Sequence, residues 1–102
     1  MSGDYFQKAV LEDGRAALVE FWAPWCTYCR RLGPVMEKVA EQYGPQLLVE
    51  QINTDEEPNL ARQYGVEAIP TLLFFQNGQL QGGITAPESK AAIDAFLSAQ
   101  TV

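Results

Sequence analysis

The stretch Ala17-Leu18-Val19-Glu20-Phe21-Trp22-Ala23-Pro24-Trp25-Cys26-Thr27-Tyr28-Cys29 decides how the chain is read. Its first six residues form a nearly continuous apolar run of strand length. Closed by Ala23-Pro24, that run predicts a strand buried on both faces. A helix follows from the cysteines: Leu32, Val35, Met36, Val39, Ala40 and Tyr43 fall at i, i+3, i+4, i+7, i+8 and i+11, so one face packs on a sheet. Pro34 lies inside that pattern and predicts a kink, because it lacks one backbone donor and crowds a carbonyl one turn earlier. Gly44-Pro45 stops the helix.

Two cysteines at i, i+3 on a strand–helix junction are within bonding reach of each other. Cys26 stands at or near the helix N-cap, where free N–H groups and the positive dipole end stabilise a thiolate. Arg30 and Arg31 add positive charge just downstream. A thiolate that forms and leaves easily, with a resolving partner beside it, is what disulfide exchange requires. Cys26 is expected to attack and Cys29 to resolve. Two other readings stand beside this one. A structural bridge over so few residues would constrain the unfolded chain little. Half of a metal site would need a second chain to complete four soft ligands.

Glu20 interrupts the first apolar strand, where a carboxylate is costly to bury. Either it faces outward on a partly exposed edge, or it is a buried acid behind the cysteines. In the second case its pKa is raised and it takes the proton of Cys29 during resolution.

Outward from this centre the pattern is regular. Asp4 to Leu11 reads as a helix with Asp4 as N-cap, closed by Asp13-Gly14. Leu47 to Ile52 reads as a second buried strand, Pro58 to Tyr64 as a short helix ended by Gly65, and Leu72 to Phe75 as a third strand. Asn77-Gly78 is a strong hairpin signal that returns Gln79 to Ile84 antiparallel. Thr85-Ala86-Pro87-Glu88 has capping-box spacing before a helix whose stripe is Ala92, Ile93, Phe96 and Leu97. The first two strands, joined by a crossover helix, should lie parallel, and the hairpin adds an antiparallel pair. The expected architecture is α/β, a mixed four-stranded sheet with helices on both faces.

Composition bounds the function. The 102 residues are expected to form a single domain, residues 1–102. Apolar residues make up 47% and charged residues 20%, an ordinary globular balance. A net charge of −6, with no basic run, argues against a nucleic-acid partner. The absence of histidine excludes Ser-His-Asp and Cys-His nucleophile schemes and any imidazole zinc site. With only two cysteines there is no disulfide framework. No apolar run reaches membrane-spanning length, and Met1-Ser2-Gly3-Asp4 is not a signal-peptide start, so a cytoplasmic, reducing setting is expected.

These residues together resemble the thioredoxin family. The likeness rests on Val19 to Cys26, on Cys29-Arg30 with Pro34 five residues beyond Cys29, and on Asn53-Thr54-Asp55, Tyr64-Gly65-Val66, Ile69-Pro70-Thr71 and Phe75-Gln76-Asn77-Gly78. It covers nearly the whole chain. It implies a thioredoxin-like fold and a thiol–disulfide oxidoreductase that reduces protein disulfides and is itself reduced by a thioredoxin-reductase-type electron donor. It implies a monomer needing no cofactor and no metal. It also implies a cis bond before Pro70, an Ile69 backbone free to pair with an extended substrate segment, and an apolar rim of Trp25, Pro24, Ile69 and Pro70 around Cys26.

Four departures from the family pattern carry expectations of their own. Thr27-Tyr28 replaces the usual Gly-Pro, so Tyr28 keeps an N–H expected to donate to the Cys26 thiolate; that would make the protein more oxidising, an oxidase or isomerase. Tyr28 also joins the residues facing substrate. Glu20 stands where aspartate is common, and Gln51 where a lysine lies near it. The family's first strand is missing, which exposes Leu47 to Ile52 as a sheet edge and leaves weak dimerisation open. Near the substrate-facing glycine of the family, either Ala86 or Gly83 falls in place. A redox-regulated binding module, gripping partners through Trp25 and Pro70, is the alternative from another class.

Overall fold

The computed structural model describes residues 1–100. Helix α1 (Gly3–Phe6) opens the chain and continues as a π-helical segment, Gln7–Glu12. Its cap is Ser2, whose hydroxyl accepts the Tyr5 N–H at 3.1 Å, and not Asp4, which lies in the first turn. Strand β1 (Ala17–Trp22) leads into α2 (Thr27–Tyr43), and β2 (Leu48–Asn53) into α3 (Pro58–Gln63). The hairpin β3 (Thr71–Gln76) and β4 (Gln79–Thr85) precedes α4 (Lys90–Gln100).

The sheet has four strands in the order β2-β1-β3-β4. Strands β1 and β2 run parallel; β1 and β3, and β3 and β4, run antiparallel. This is the mixed sheet expected without the family's first strand. Strand β1 is interior, and its residues from Ala17 to Phe21 are fully buried. Strand β2 is the sheet edge expected from the missing first strand, and not the buried strand its apolar run suggested: apart from Ile52 its residues are half-exposed, because it has a neighbour on one side only. The Met1 ammonium donates to the Gln51 carbonyl at that edge.

Side chains alternate across the sheet, which divides the core into two layers. One holds Phe6, Val10, Val19, Phe21, Ile52 and Phe75. There the rings of Phe6, Tyr64 and Phe75 meet edge-to-face, with centroids 5.3–5.7 Å apart. The other layer packs Leu18, Leu72 and Phe74 beneath Leu32, Met36 and Val39 of α2 and Ile93 and Leu97 of α4.

Helix α2 runs unbroken through Pro34. The preceding Gly33 has no Cβ to collide with the proline ring, which lets residue 33 stay helical. The hairpin turn has φ of 56° at Asn77 and 77° at Gly78, the left-handed pair expected of Asn-Gly. A Cβ on Gly78 would stand 2.5 Å from the Leu11 carbonyl oxygen, so the turn packs directly on the end of the first helical segment. Helix α4 is capped by Ser89, whose hydroxyl accepts the Ala92 N–H at 3.1 Å. Thr85 is not its cap; it ends β4, and its hydroxyl meets that of Thr71 at 3.1 Å.

Candidate active site

Strand β1 ends at Trp22, and Ala23-Pro24-Trp25 carries the chain to Cys26, the N-cap of α2. Cys26 has extended backbone geometry, and its Sγ accepts the Cys29 N–H at 3.2 Å. The two cysteines are joined in a disulfide with Cα atoms 5.3 Å apart. Both are largely enclosed, Cys26 at 9% exposure and Cys29 at 2%, so the N-terminal sulfur is the more accessible. An N-cap side chain is served by the second or third helical N–H. Here the third, of Cys29, supplies the bond. In this disulfide form the Tyr28 N–H makes no bond to Cys26 Sγ.

The Tyr28 side chain, partly exposed, instead donates its hydroxyl to the Pro87 carbonyl at 2.6 Å. Around the disulfide, Trp25 is 69% exposed and Pro24 is exposed as well. Trp25 Nε1 donates to Asp55 Oδ1 at 3.3 Å, which ties the indole to the loop after β2. Ile69 packs half-buried against Ala23, Cys26 and Cys29. The Ile69–Pro70 peptide bond is cis. Pro70 is itself buried, so of the four residues expected to form the apolar rim only Pro24, Trp25 and Ile69 reach the surface. Among the described residues Ile69 makes no backbone hydrogen bond. Of the two residues at the substrate-facing corner, Ala86 is the one beside Pro70: its N–H donates to the Pro70 carbonyl at 2.7 Å. Gly83 lies within β4, opposite Leu73.

Glu20 is fully buried, not turned outward. Its register partners are Gln51 on β2 and Leu72 on β3, and Leu72 belongs to the layer beneath α2. Glu20 thus lies under the helix whose first turn contains Cys29. Gln51 Nε2 donates to Glu20 Oε1 at 2.8 Å, while Oε2 has no partner. Burial raises its pKa above the ordinary 4.5, and the Gln51 bond offsets part of that rise. Gln51 also lines an open cleft of about 440 Å³ between α2 and the sheet edge, with Trp22, Gly33, Met36 and Asn53. The Gln51 amide therefore connects the buried acid to the wall of this cleft.

The sequence reading missed Asp55, Pro87 and the donor role of Gln51. Only Gln51 had a signal: its position in a parallel neighbour of β1 places it beside Glu20. Among the described residues no cluster of three or more metal-ligating side chains occurs. No helix among them is long and apolar enough to cross a membrane.

A vicinal cysteine pair at a helix N-terminus, able to cycle between disulfide and dithiol with the outer sulfur facing an apolar rim, defines a thiol–disulfide oxidoreductase. Comparison with known proteins gives the particular kind. The Thioredoxin family model matches residues 1–99. A thioredoxin of Acidithiobacillus ferridurans is 41% identical over 100 residues, spanning 98% of this chain and 93% of that protein. Thioredoxin 1 of Synechococcus elongatus is 50% identical over 74 residues, 72% of this chain and 69% of that protein. The chain belongs to the thioredoxin family and is a protein-disulfide reductase in class.

Proposed function

We propose that the chain reduces exposed disulfides of other proteins, with Cys26 as nucleophile, Cys29 as resolving thiol and Glu20 as proton acceptor. In the reduced form the Cys26 thiolate attacks one sulfur of the substrate disulfide. The substrate S–S bond breaks, a mixed disulfide forms, and the second substrate sulfur leaves as a thiolate that takes up a proton. Cys29 gives its proton to Glu20 and attacks Cys26 Sγ. The mixed disulfide breaks, the first substrate sulfur departs as a thiolate that takes up the proton held by Glu20, and the Cys26–Cys29 disulfide remains with Glu20 ionised again. Two electrons have passed to the substrate. A dithiol donor of the thioredoxin-reductase type restores the pair with two electrons and two protons.

Substrate is held by Pro24 and Trp25 on one side and by Ile69 and Pro70 on the other, while the Tyr28 hydroxyl, expected to face substrate, is committed to the Pro87 carbonyl. An extended substrate segment pairs with the unoccupied Ile69 backbone, a short form of strand addition. The chain works as a single-domain monomer in a cytoplasmic setting where such a donor keeps the pair reduced.

The observation that carries this reading is the N-cap position of Cys26, with a backbone N–H aimed at its sulfur and Cys29 in bonding reach. The test is insulin reduction with dithiothreitol as donor, together with capture by Cys29→Ser. Wild type should precipitate the insulin B chain, and Cys29→Ser should accumulate a covalent complex released by reductant. Wild type inactive on insulin, with no covalent complex from the variant, would overturn the assignment.

A further inference from the structure

The loop between β4 and α4 borders the proposed substrate groove, and its conformation is not one it would hold unaided. Ala86 has φ of 47°, in the left-handed region that a residue with a Cβ avoids. Pro87 at the centre of the loop is buried, while beside it an open hollow of about 230 Å³ lies between Glu88 and Ser89 and the α2 residues Tyr28, Arg31, Leu32 and Val35, so packing holds the loop at one point only. Three hydrogen bonds add to that contact. Two run to the Pro70 side: Thr85 Oγ1 with Thr71 Oγ1 at 3.1 Å, and Ala86 N–H to the Pro70 carbonyl at 2.7 Å. One crosses to the cysteine helix: the Tyr28 hydroxyl to the Pro87 carbonyl, at 2.6 Å.

We infer that Tyr28 is a positioning residue: its hydroxyl fixes the Thr85–Glu88 loop against the first turn of α2 and so sets the width of the groove between that loop, Pro70 and Cys26. The inference rests on the protein-disulfide reading above. The side chain lines the hollow and reaches the loop through its hydroxyl alone, which phenylalanine lacks. An unfixed loop must be ordered each time an extended protein segment docks, which weakens binding. A small disulfide that reaches Cys26 without touching the loop is spared that cost.

Tyr28→Phe tests this with insulin and with dithiobis-nitrobenzoate as substrates, dithiothreitol being the donor. The KM for insulin should rise about five- to tenfold, the weight of one lost hydrogen bond, with kcat within about twofold. The rate with dithiobis-nitrobenzoate should fall less than about twofold, and the equilibrium constant of the cysteine pair against glutathione should stay within about twofold. In amide spectra the Ala86 and Glu88 signals should shift or broaden while those of β1 stay in place. Equal losses on both substrates, a glutathione equilibrium shifted about tenfold, an unaltered insulin KM, undisturbed loop amides or loss of the fold would each overturn the inference while leaving the reductase reading standing. A wild type inactive on insulin but active on the small disulfide would remove that reading, and the inference with it.

Discussion

Glu20 is the only charged residue fully buried among those described, and half of its carboxylate lacks a partner. Its raised pKa fixes the sign of two pH effects. The folded state holds this proton more tightly than the unfolded chain does. Between the ordinary 4.5 and the raised folded value, the native state therefore binds more protons, and stability falls as pH rises through that window. Glu20→Gln removes the effect. At neutral pH the variant should be more stable, because it carries no buried charge to desolvate. Below the unfolded value, where Glu20 is protonated in both states, the pH-dependent part of that gain should vanish. Urea unfolding at the two pH values checks both halves. Activity should move the other way. Resolution of the mixed disulfide in wild type should rise with pH as Glu20 ionises, and Glu20→Gln should be roughly 10- to 100-fold slower at neutral pH. Superimposable pH–rate profiles would remove Glu20 from the mechanism.

At the level of elements, how much could be read from the residues followed burial. Strands β1 and β3 are covered on both faces, so their apolar runs marked them closely. The run Leu47-Leu48-Val49 looked the same by periodicity; its edge position could be read only from the missing first strand of the family pattern, and the order β2-β1-β3-β4 agrees with that reading. Caps were legible as a chemistry but not as an address: Ser2 and Ser89 do what was expected of Asp4 and Thr85. At the site, Cys26 and Cys29 were plain from spacing alone. Which N–H reaches the sulfur depends on helix phase, and the bond from Tyr28 to Pro87 joins residues 59 apart, beyond any local pattern. Strand β4 supplies a prediction at this scale. A Cβ on Gly83 would stand 2.7 Å from Leu73 Cδ2 and 3.4 Å from the Leu72 carbonyl oxygen. Leu73 is itself buried in the aromatic layer, which limits its room to yield. Gly83→Ala should lower stability by about 1–3 kcal/mol, as overpacking does, measured by thermal unfolding of the oxidised protein. An unchanged midpoint would show that the layer is looser than its contacts imply.

The molecule as a whole is two hydrophobic layers sharing one sheet. Phe6→Leu keeps apolar bulk in one layer but loses edge contacts to Tyr64 and Phe75, at a cost of about 1–2 kcal/mol. Ile93→Val trims the other layer for about 0.5–1.5 kcal/mol. Because the sheet lies between them and they share no partner, the double variant should lose the sum to within about 0.5 kcal/mol. It should still unfold in one transition. Coupling well beyond that margin would mean that strain passes through the sheet from one layer to the other.

Strand β1 is the interior strand that feeds straight into the cysteines. Local opening of a native protein begins at frayed ends, loops and poorly covered edges and reaches a doubly covered central strand last. The reactive pair is thus anchored on the part of the fold that breathes least, while the loops that meet a partner hang from parts free to move. A turnover can rearrange the exposed Trp25 without disturbing the backbone that aims the Cys29 N–H at sulfur. Recognition and chemistry draw on different reserves of rigidity.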